Sequence, residues 1–167
     1  EAALIGQNIA PGFNRNFASE EWEIVEQKLW DKAFEEAEDL ANYDQKLQIY
    51  GSDIDHNMIQ ISTENALEAG LADIISWKQM QLRDLTIKEL NGYLISNPPY
   101  GERLLEEEKV RELYKEMGKV FKPLETWSKY ILTSDLTFET YYGQKATKKR
   151  KLYNGALRTD LFQYWGK

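Results

Sequence analysis

Short segments with the composition of β-strands alternate with helical patterns along most of this chain, and this alternation constrains the fold more than any other feature of the sequence. The strand-like segments are rich in β-branched and aromatic side chains and end in turn or polar residues. They occupy residues 47–53, 74–77, 93–96 and 129–133. Alternating strands and helices predict an α/β fold, in which a mostly parallel sheet carries helices on both faces.

The helices are predicted from their periodicity and from the residues that cap them. An amphipathic pattern runs from Trp22 to Leu40, with Ser19 ahead of it as the expected N-cap. Asp55 is the expected cap of the next helix, which ends at Gly70 in a left-handed conformation. Further helical patterns cover the opening residues 1–8, the apolar stripe 110–121 and the short segment 138–142.

The C-terminal segment departs from this alternation. Asn154-Gly155 separates two strand-like runs, 150–153 and 156–164. An Asn-Gly pair between such runs favours a hairpin with a type I′ turn. The sequence therefore predicts a C-terminal antiparallel hairpin at the edge of the parallel sheet. Because the sequence contains no repeats and no low-complexity linkers, it also predicts one domain over residues 1–167.

Composition argues against several classes of protein. The 167 residues are 42% hydrophobic and 29% charged, as in ordinary globular domains. With no cysteine and one histidine, neither a disulfide framework nor a thiolate or histidine metal site is expected. No apolar run approaches the roughly 20 residues of a membrane span, and no signal peptide is recognisable. We therefore expect a cytoplasmic protein without a membrane partner.

Charge is unevenly distributed along the chain. The net charge is −7, which argues weakly against nucleic-acid binding by the chain as a whole. Residues 20–44 and 102–112 are acidic, but 145–151 contain five basic side chains: Lys145, Lys148, Lys149, Arg150 and Lys151. The last four are candidates for nucleic-acid binding, since a local basic patch can contact phosphates. A second reading, lysines that guard the exposed edge of a hairpin, fits the same residues.

Polar residues follow three of the predicted strands and are candidates for a ligand site. They are Asp53, the segment 79–81 and Asn97-Pro98-Pro99-Tyr100. In an open α/β sheet, ligands bind beyond the carboxyl ends of the strands. We therefore expect these residues to share one rim of the sheet.

Asn97-Pro98-Pro99-Tyr100 has the chemistry of an amine-binding loop. Proline holds Asn97 extended, and the two prolines stiffen the turn. The Asn97 amide oxygen and the Pro98 carbonyl then form two acceptors for the N–H bonds of a planar amine, and Tyr100 offers a ring on which its base can stack. Such a site would orient the amine to attack an electrophilic methyl group, for which the base must leave its stack. The alternative is an ordinary proline-rich turn.

Asp53 is the second candidate. A carboxylate at the end of a strand in a nucleotide-type sheet can accept hydrogen bonds from both ribose hydroxyls of a cofactor. Ile54 beside it offers an apolar contact for an adenine ring, and Asp53 as a solvated turn residue is the alternative. His56 is interpreted as an exposed residue at a helix start, and the stripe 110–121 as core.

The sequence around these residues resembles a known family. Residues 95–104, ISNPPYGERL, closely match the catalytic motif of the THUMP-linked ribosomal RNA guanine-N2 methyltransferases, which are often labelled N6-adenine-specific DNA methylases. Residues 9–15, residues 51–55 and the Asn154-Gly155 hairpin are also similar to that family. The resemblance covers essentially the whole chain.

The resemblance implies a class I Rossmann-like methyltransferase that uses S-adenosylmethionine and acts on guanine N2 of large-subunit ribosomal RNA. Asn97, Pro98, Pro99 and Tyr100 would lie at the target base, with Asn97 also at the cofactor. Asp53 and Ile54 would contact the cofactor ribose and adenine. Gln81 stands where the family commonly has an aspartate that binds the adenine amine. Adenine-N6 methylation of DNA and a non-catalytic nucleic-acid-binding fragment remain alternatives.

The chain also departs from the family pattern. The resemblance places a first strand with a glycine-containing cofactor loop, and a THUMP region, ahead of the residue that corresponds to Glu1, so we expect this chain to lack both. We therefore expect a partial methyltransferase domain whose neighbouring strands lack a partner. Weak cofactor binding and no useful activity are expected of this chain alone, and a homodimer would be one way to cover the exposed strands.

Overall fold

The computed structural model describes residues 1–99 and 104–167, with the side chains from residue 107 onward in the second range. The chain divides into two compact units, Glu1–Met80 and Gln81–Lys167. Each unit contains a pair of parallel strands, and the second adds two antiparallel strands. The predicted α/β class with a C-terminal hairpin is confirmed, whereas the organisation as one domain stays a prediction.

The first unit is built around one parallel strand pair. Its elements are α1 (Ala2–Gly6), α2 (Gln27–Leu40), β1 (Ile49–Asp53), α3 (His56–Glu68) and β2 (Ile75–Gln79). Gly51 of β1 lies opposite Trp77 of β2, and a Cβ at Gly51 would collide with the Trp77 ring. Glycine is therefore required there by the close approach of the indole.

The start of α2 differs from the prediction. The helix begins at Gln27, with Glu26 as its N-cap residue, and not near Trp22. Ser19 lies inside a short 3₁₀ helix, Ala18–Glu21, and caps no α-helix. Glu20 closes that turn because its carboxylate accepts the Phe17 N–H at 2.7 Å. This bond closes a separate 3₁₀ turn ahead of α2, and helical periodicity alone does not reveal such a turn.

The cap of α3 agrees with the prediction. The Asp55 carboxylate accepts the Asn57 N–H at 2.8 Å, which satisfies one of the free donors at the helix start. The helix ends before Gly70, whose φ is +70°. Helix and loop residues here thus follow their local propensities.

The second unit contains a four-stranded sheet. Its elements are β3 (Gly92–Ser96), α4 (Leu104–Phe121), β4 (Trp127–Thr133), α5 (Phe138–Tyr142), β5 (Lys148–Asn154) and β6 (Leu157–Tyr164). The strand order is β3-β4-β6-β5, in which β3 and β4 are parallel and the other neighbours are antiparallel. The carboxyl ends of β3 and β4 therefore lie at the same end of the sheet.

One face of this sheet packs against α4 and α5. Alternate residues of β4 are buried there, namely Lys129, Ile131 and Thr133. The cluster they border is largely aromatic, and its members from both helices and β6 are Val110, Tyr114, Met117, Phe121, Phe138, Tyr142, Phe162 and Tyr164. On the opposite face, Tyr93 and Ile95 of β3 are exposed by 75% and 77%. The predicted stripe on α4 is therefore core, as expected for helical periodicity.

The hairpin turn differs from the predicted type. Its two loop residues are Gly155 and Ala156, because Asn154 is still paired with Leu157. Gly155 has a φ of +61°, and neither Asn154 nor Ala156 has a positive φ. A positive φ at the first loop position alone is the pattern of a type II′ turn, which needs glycine at that position. The hairpin was predicted correctly and its turn type was not.

The parallel strands form two sheets where one was expected. Among the described strands, β1 pairs with β2 alone and β3 with β4 alone. Among the described strands, β1, β2 and β3 consequently each have one edge whose N–H and C=O groups lack a strand partner, whereas β4 is paired on both edges. This agrees with the expectation that neighbouring strands lack a partner.

Replacing the buried Lys129 with methionine is expected to stabilise the protein. Lys129 is 5% exposed, and burial lowers the pKa of its ammonium, although the Glu125 carboxylate opposes the shift. A lysine whose pKa is lower in the folded than in the unfolded protein reduces the unfolding free energy, and the reduction is largest below the folded-state pKa. The reduction becomes smaller as the pH rises toward the pKa of the lysine in the unfolded protein. Lys129→Met should therefore raise the Tm by a few degrees near about pH 7 and by less near about pH 9.5.

Thermal unfolding followed by circular dichroism measures this difference. Lys122→Met is the matched control, because Lys122 is an exposed lysine of the same unit. The control should leave the Tm nearly unchanged at both pH values. A loss of stability in Lys129→Met would show that the ammonium is satisfied in the folded protein.

Candidate functional site

Asn97, Pro98 and Pro99 leave the carboxyl end of β3 as predicted. Ser96, the last residue of β3, is paired with Ile131 of β4, so the Asn-Pro-Pro segment begins beside the last residues of β4. Asn97 and Pro99 are exposed, whereas Pro98 is buried. Tyr100, the fourth predicted residue of this site, lies outside the described residues. The structure thus places three of the four residues together at the predicted end of the sheet.

A buried tyrosine holds the Asn-Pro-Pro segment in place. Tyr114 of α4 is fully buried, and its hydroxyl donates to the Pro99 carbonyl at 3.3 Å. The same hydroxyl lies 3.1 Å from Thr133 Oγ1. Since a tyrosine hydroxyl has one proton and it points to Pro99, Thr133 must be the donor to Tyr114. The loop after β3 is therefore tied to the end of β4 through α4.

The chain of hydrogen bonds continues beyond Thr133. Thr133 Oγ1 accepts the Asp135 N–H at 3.1 Å, and the Asp135 carboxylate accepts the Thr137 N–H at 2.7 Å. Four segments are thus linked in one direction of donation, from backbone N–H through two hydroxyls to a backbone carbonyl. Such a fully satisfied network fixes positions more firmly than its separate bonds would.

The two proline carbonyls have different roles, because one of them accepts the hydrogen bond that anchors the loop. The Pro99 carbonyl is occupied by Tyr114, so the Pro98 carbonyl is the one that stays as a predicted acceptor for an amine. Sequence reasoning interpreted Tyr114 as part of an apolar core stripe and missed this role. The available signal was the tyrosine itself, because a buried hydroxyl usually has a partner.

Asp53 and Ile54 occupy the carboxyl end of β1 in the first unit. Asp53 Oδ1 accepts the Asp55 N–H at 2.8 Å, and the Asp53 carbonyl accepts the Met80 N–H at 2.9 Å. Among the described contacts, Asp53 Oδ2 has no hydrogen bond. Ile54 is 66% exposed. An exposed carboxylate oxygen can accept hydrogen bonds from a ribose diol, and the apolar side chain beside it can contact an adenine ring.

Gln79 is the residue that the structure brings to Asp53. It lies opposite Asp53 in the β1–β2 register, and its amide nitrogen donates to the Ile54 carbonyl at 3.1 Å. Gln81, the predicted adenine ligand, belongs to the second unit and precedes the 3₁₀ helix Leu82–Asp84. Because Asp53 and Gln81 lie in different units, their grouping with Asn97 at one rim stays a prediction.

The basic residues lie on β5, an edge strand of the second unit. Lys149 is engaged within the protein, since its ammonium lies 2.8 Å from the Glu139 carboxylate and 5.7 Å from the Phe162 ring centroid. Burial raises the pKa of Glu139, but hydrogen bonds from Lys149 and the Ala146 N–H outweigh it, and the pKa lies below its usual value. Lys149 therefore stabilises the hairpin, and its neighbours Lys148, Arg150 and Lys151 are exposed. That these residues bind nucleic acid stays a prediction.

In the part of the chain that the structure describes, no cluster of three or more histidine, cysteine or acidic side chains is arranged to hold a metal ion. None of the described helices combines the length and the apolar character needed to cross a membrane.

Known proteins resemble this chain over nearly its whole length. The family model UPF0020, described as RMKL-like, methyltransferase domain, matches residues 1–163. YpsC of Bacillus subtilis, named as a candidate RNA methyltransferase, is 61% identical over 167 residues, which are 100% of this chain and 43% of YpsC. The ribosomal RNA large subunit methyltransferase K/L of Shewanella frigidimarina is 39% identical over 162 residues, 94% of this chain and 23% of that protein.

Solved structures also resemble this chain over nearly its whole length. SMU.472, a candidate methyltransferase crystallised with SAH, superposes with a TM-score of 0.95 at 54% identity, covering 99% of this chain and 44% of its own. A predicted N6-adenine-specific DNA methylase from Listeria monocytogenes gives 0.90 at 58% identity, covering 99% and 43%. The expected Rossmann-like methyltransferase fold is therefore confirmed. The chain spans less than half the length of these relatives.

Removing the Tyr114 hydroxyl is expected to loosen the Asn-Pro-Pro segment. Tyr114→Phe leaves the Pro99 carbonyl and the Thr133 hydroxyl without their shared partner, which should cost about 1–2 kcal/mol of unfolding free energy. Urea unfolding of the intact protein that contains this chain measures the loss.

Tyr142→Phe is the matched control within the same aromatic cluster. The Tyr142 hydroxyl is buried without a hydrogen-bond partner among the described residues, and burial raises the pKa of that hydroxyl. Its removal should leave stability unchanged or slightly higher. Equal losses in the two variants would mean that the Tyr114 hydrogen bonds contribute nothing specific.

Proposed function

Because this chain belongs to the RMKL-like, methyltransferase domain family, we propose that it contributes the target-base site and part of the cofactor site of an S-adenosylmethionine-dependent methyltransferase. The proposed substrate is an exocyclic base amine, with guanine N2 of large-subunit ribosomal RNA as the target. The observation that carries this proposal is the Asn97-Pro98-Pro99 segment at the end of β3, anchored by Tyr114. We place the activity in the cytoplasm, where bacterial ribosomal RNA is made.

The chain's own residues position the amine. The Asn97 amide oxygen and the Pro98 carbonyl accept its two N–H bonds, which draws the nitrogen lone pair out of conjugation with the base. Tyr100 stacks the base once it has left its helix. The Tyr114 anchor keeps the acceptors in place, so that the rate depends on positioning more than on a strong base. S-adenosylmethionine, when bound, supplies an electrophilic methyl group.

Asp53, Ile54 and Gln81 are the proposed cofactor contacts, together with Asn97. Asp53 is proposed to accept hydrogen bonds from the ribose hydroxyls, and its Oδ1 is already fixed by the Asp55 N–H. Ile54 is exposed enough to pack on an adenine ring, and the Gln81 amide oxygen would accept from the adenine amine. The crystallised relative that contains SAH supports a cofactor of this class.

RNA is favoured over DNA as the substrate by the names of the relatives. YpsC is named for RNA, and the Shewanella protein for the large ribosomal subunit. The Listeria protein is named for adenine N6 in DNA, and two amine acceptors suit either base equally well. Mass spectrometry of nucleosides from RNA and DNA treated with the intact protein separates the two substrates. N6-methyladenine in DNA without N2-methylguanine in RNA would refute the RNA proposal.

Asn97→Ala is expected to abolish most of the methyl transfer in the intact protein while sparing its affinity for the cofactor. The amide positions the amine, so its loss should reduce kcat by about 100-fold or more. Asp53→Asn is the contrasting variant, expected to weaken cofactor binding while the base acceptors stay intact. Transfer of radiolabelled methyl groups to RNA and titration calorimetry with the cofactor give the two readouts. Full activity in Asn97→Ala would contradict the role assigned to this residue.

The 167-residue chain alone is expected to bind S-adenosylmethionine weakly and to show no useful activity. β1 and β3 each have one strand neighbour among the described strands, and the polar groups on their other edges are then paired with water or with a second chain. Isothermal titration of this chain should detect no binding at micromolar cofactor. Micromolar affinity would overturn the expectation, and a homodimer at the same concentration would identify a second copy as the cover of these edges.

A non-catalytic nucleic-acid-binding role is the alternative that the basic strand supports. It predicts strong, salt-sensitive RNA binding by this chain without cofactor. The net charge of −7 makes that outcome less favourable electrostatically. Methyl transfer by the intact protein that is lost in Asn97→Ala would exclude it.

A further inference from the structure

The β5–β6 hairpin extends beyond the end of β4. β6 pairs with β4 from Tyr164 to Asp160, which lies opposite Thr133, the last residue of β4. The next three residues of β6, numbers 157–159, pair with β5 alone. At about 3.4 Å per residue, this arm projects about 10 Å past the end of β4. We call residues 151–160 the hairpin arm.

The arm starts at the same end of the sheet as the proposed base site. β3 runs parallel to β4, and the Asn-Pro-Pro segment follows β3. Thr133, from whose partner Asp160 the arm departs, belongs to the hydrogen-bond chain that anchors Pro99. All of these residues belong to the second unit.

Because side chains along a strand point alternately to the two faces of a sheet, four side chains of the arm share one face. Lys151 and Asp160 are paired and lie in register with Thr133, whose side chain faces Tyr114. Residues two positions farther along each strand, Tyr153 and Arg158, are also paired and point to the same face. The arm therefore presents a row of side chains on the face of the sheet where α4 lies.

The Tyr153 ring is exposed, with a lysine ammonium over it and an arginine at the paired position of β6. Its side chain is 62% exposed, and the Lys151 ammonium lies 5.2 Å from the ring centroid. The paired residue, Arg158, is held by the buried Asp160, whose carboxylate accepts from Arg158 Nε at 3.2 Å and Nη2 at 2.9 Å. An arginine fixed in this way loses little conformational freedom when it binds an anion.

Protection of the edge strand does not explain this arrangement. Lysines that keep an edge strand from pairing account for the charges on β5. They do not account for an exposed aromatic ring beyond the packed core, or for an arginine that a buried carboxylate orients beside it. An aromatic platform flanked by cations is what single-stranded nucleic acids require, because a base stacks on the ring while phosphates meet the cations.

Charge within the chain favours the same ligand. Residues 148–160, which comprise the first part of β5 and the arm, contain five basic side chains and one carboxylate, and two of the basic side chains, Lys151 and Arg158, belong to the arm. Because the whole chain has a net charge of −7, this hairpin attracts a polyanion that the chain as a whole repels, which orients its approach.

We propose that the hairpin arm binds single-stranded RNA next to the target base, with Tyr153 stacking a flanking base and Lys151 and Arg158 contacting its phosphates. The proposal rests on the proposed function for its choice of RNA. It assigns the flanking nucleotides to the arm and leaves the reacting amine to Asn97 and Pro98.

Fluorescence anisotropy tests the arm without any chemistry. The intact protein is titrated into a labelled single-stranded RNA of about 12 nucleotides and mixed sequence, without cofactor. Tyr153→Ala should raise the Kd about tenfold at every salt concentration, and Tyr153→Phe should keep it within about twofold, since the ring does the stacking. Lys151→Ala should lower the slope of log Kd against log salt by about one.

Matched controls remove the same chemistry elsewhere in the second unit. Lys119→Ala removes an exposed lysine from α4, and Trp165→Ala removes an aromatic side chain, 53% exposed, that follows the other end of β6. Both should keep the Kd within about twofold of the wild-type value. Wild-type affinity in Tyr153→Ala, or an equal loss in Trp165→Ala, would overturn the proposal.

Methylation assays on the same samples separate this proposal from the proposed function. If the protein methylates RNA but Tyr153→Ala binds and methylates normally, the arm proposal fails and the function stands. If the protein methylates no RNA but binding still depends on Tyr153, the function fails and the arm stands. A wild-type protein that methylates RNA but has no affinity for the single-stranded RNA would overturn the arm proposal alone.

Discussion

The buried hydrogen-bond chain from Asp135 to Pro99 is the constraint on which the second unit depends. It passes through Thr133 and Tyr114 and so joins the end of β4, the middle of α4 and the loop after β3. Two prolines cannot donate backbone hydrogen bonds, so the loop they form needs an anchor from elsewhere. A hydroxyl from the packed helix supplies it, and the aromatic cluster around Tyr114 keeps that hydroxyl in position.

This arrangement couples the stability of the core to the geometry of the proposed site. Tyr114 packs edge-on against Phe138, with ring centroids 4.8 Å apart, and Phe138 contacts Phe162 of β6. Strand β6 in turn carries the hairpin arm. Core packing, the base-binding loop and the arm therefore share one set of aromatic contacts, and a defect in the cluster would displace both proposed binding elements.

The basic side chains of the second unit are concentrated on an edge strand. Acidic residues outnumber basic residues in the chain, but β5 is strongly basic and is also an edge of the four-stranded sheet. Lys149 is paired with Glu139 and Arg158 with Asp160, whereas the Lys151 ammonium lies over the Tyr153 ring. The proposed RNA binding therefore depends on which cations of the hairpin form ion pairs within the protein and which are available to a phosphate.

Local physics explains what the sequence by itself determined. The α/β alternation, the Asp55 cap, the Gly70 stop, the hairpin and the Asn97-Pro98-Pro99 position all follow from neighbouring residues and were predicted. Errors occurred where a local turn interrupts a helical pattern, as with the 3₁₀ helix Ala18–Glu21 ahead of α2, or where a one-residue register decides the turn type, as at Gly155. Only the tertiary structure decided that Tyr114 anchors Pro99, that Lys149 forms an ion pair with Glu139, and that the Tyr153 ring is exposed. Those outcomes depend on contacts between residues 10 to 19 positions apart, and helical or strand periodicity carries no information about such partners.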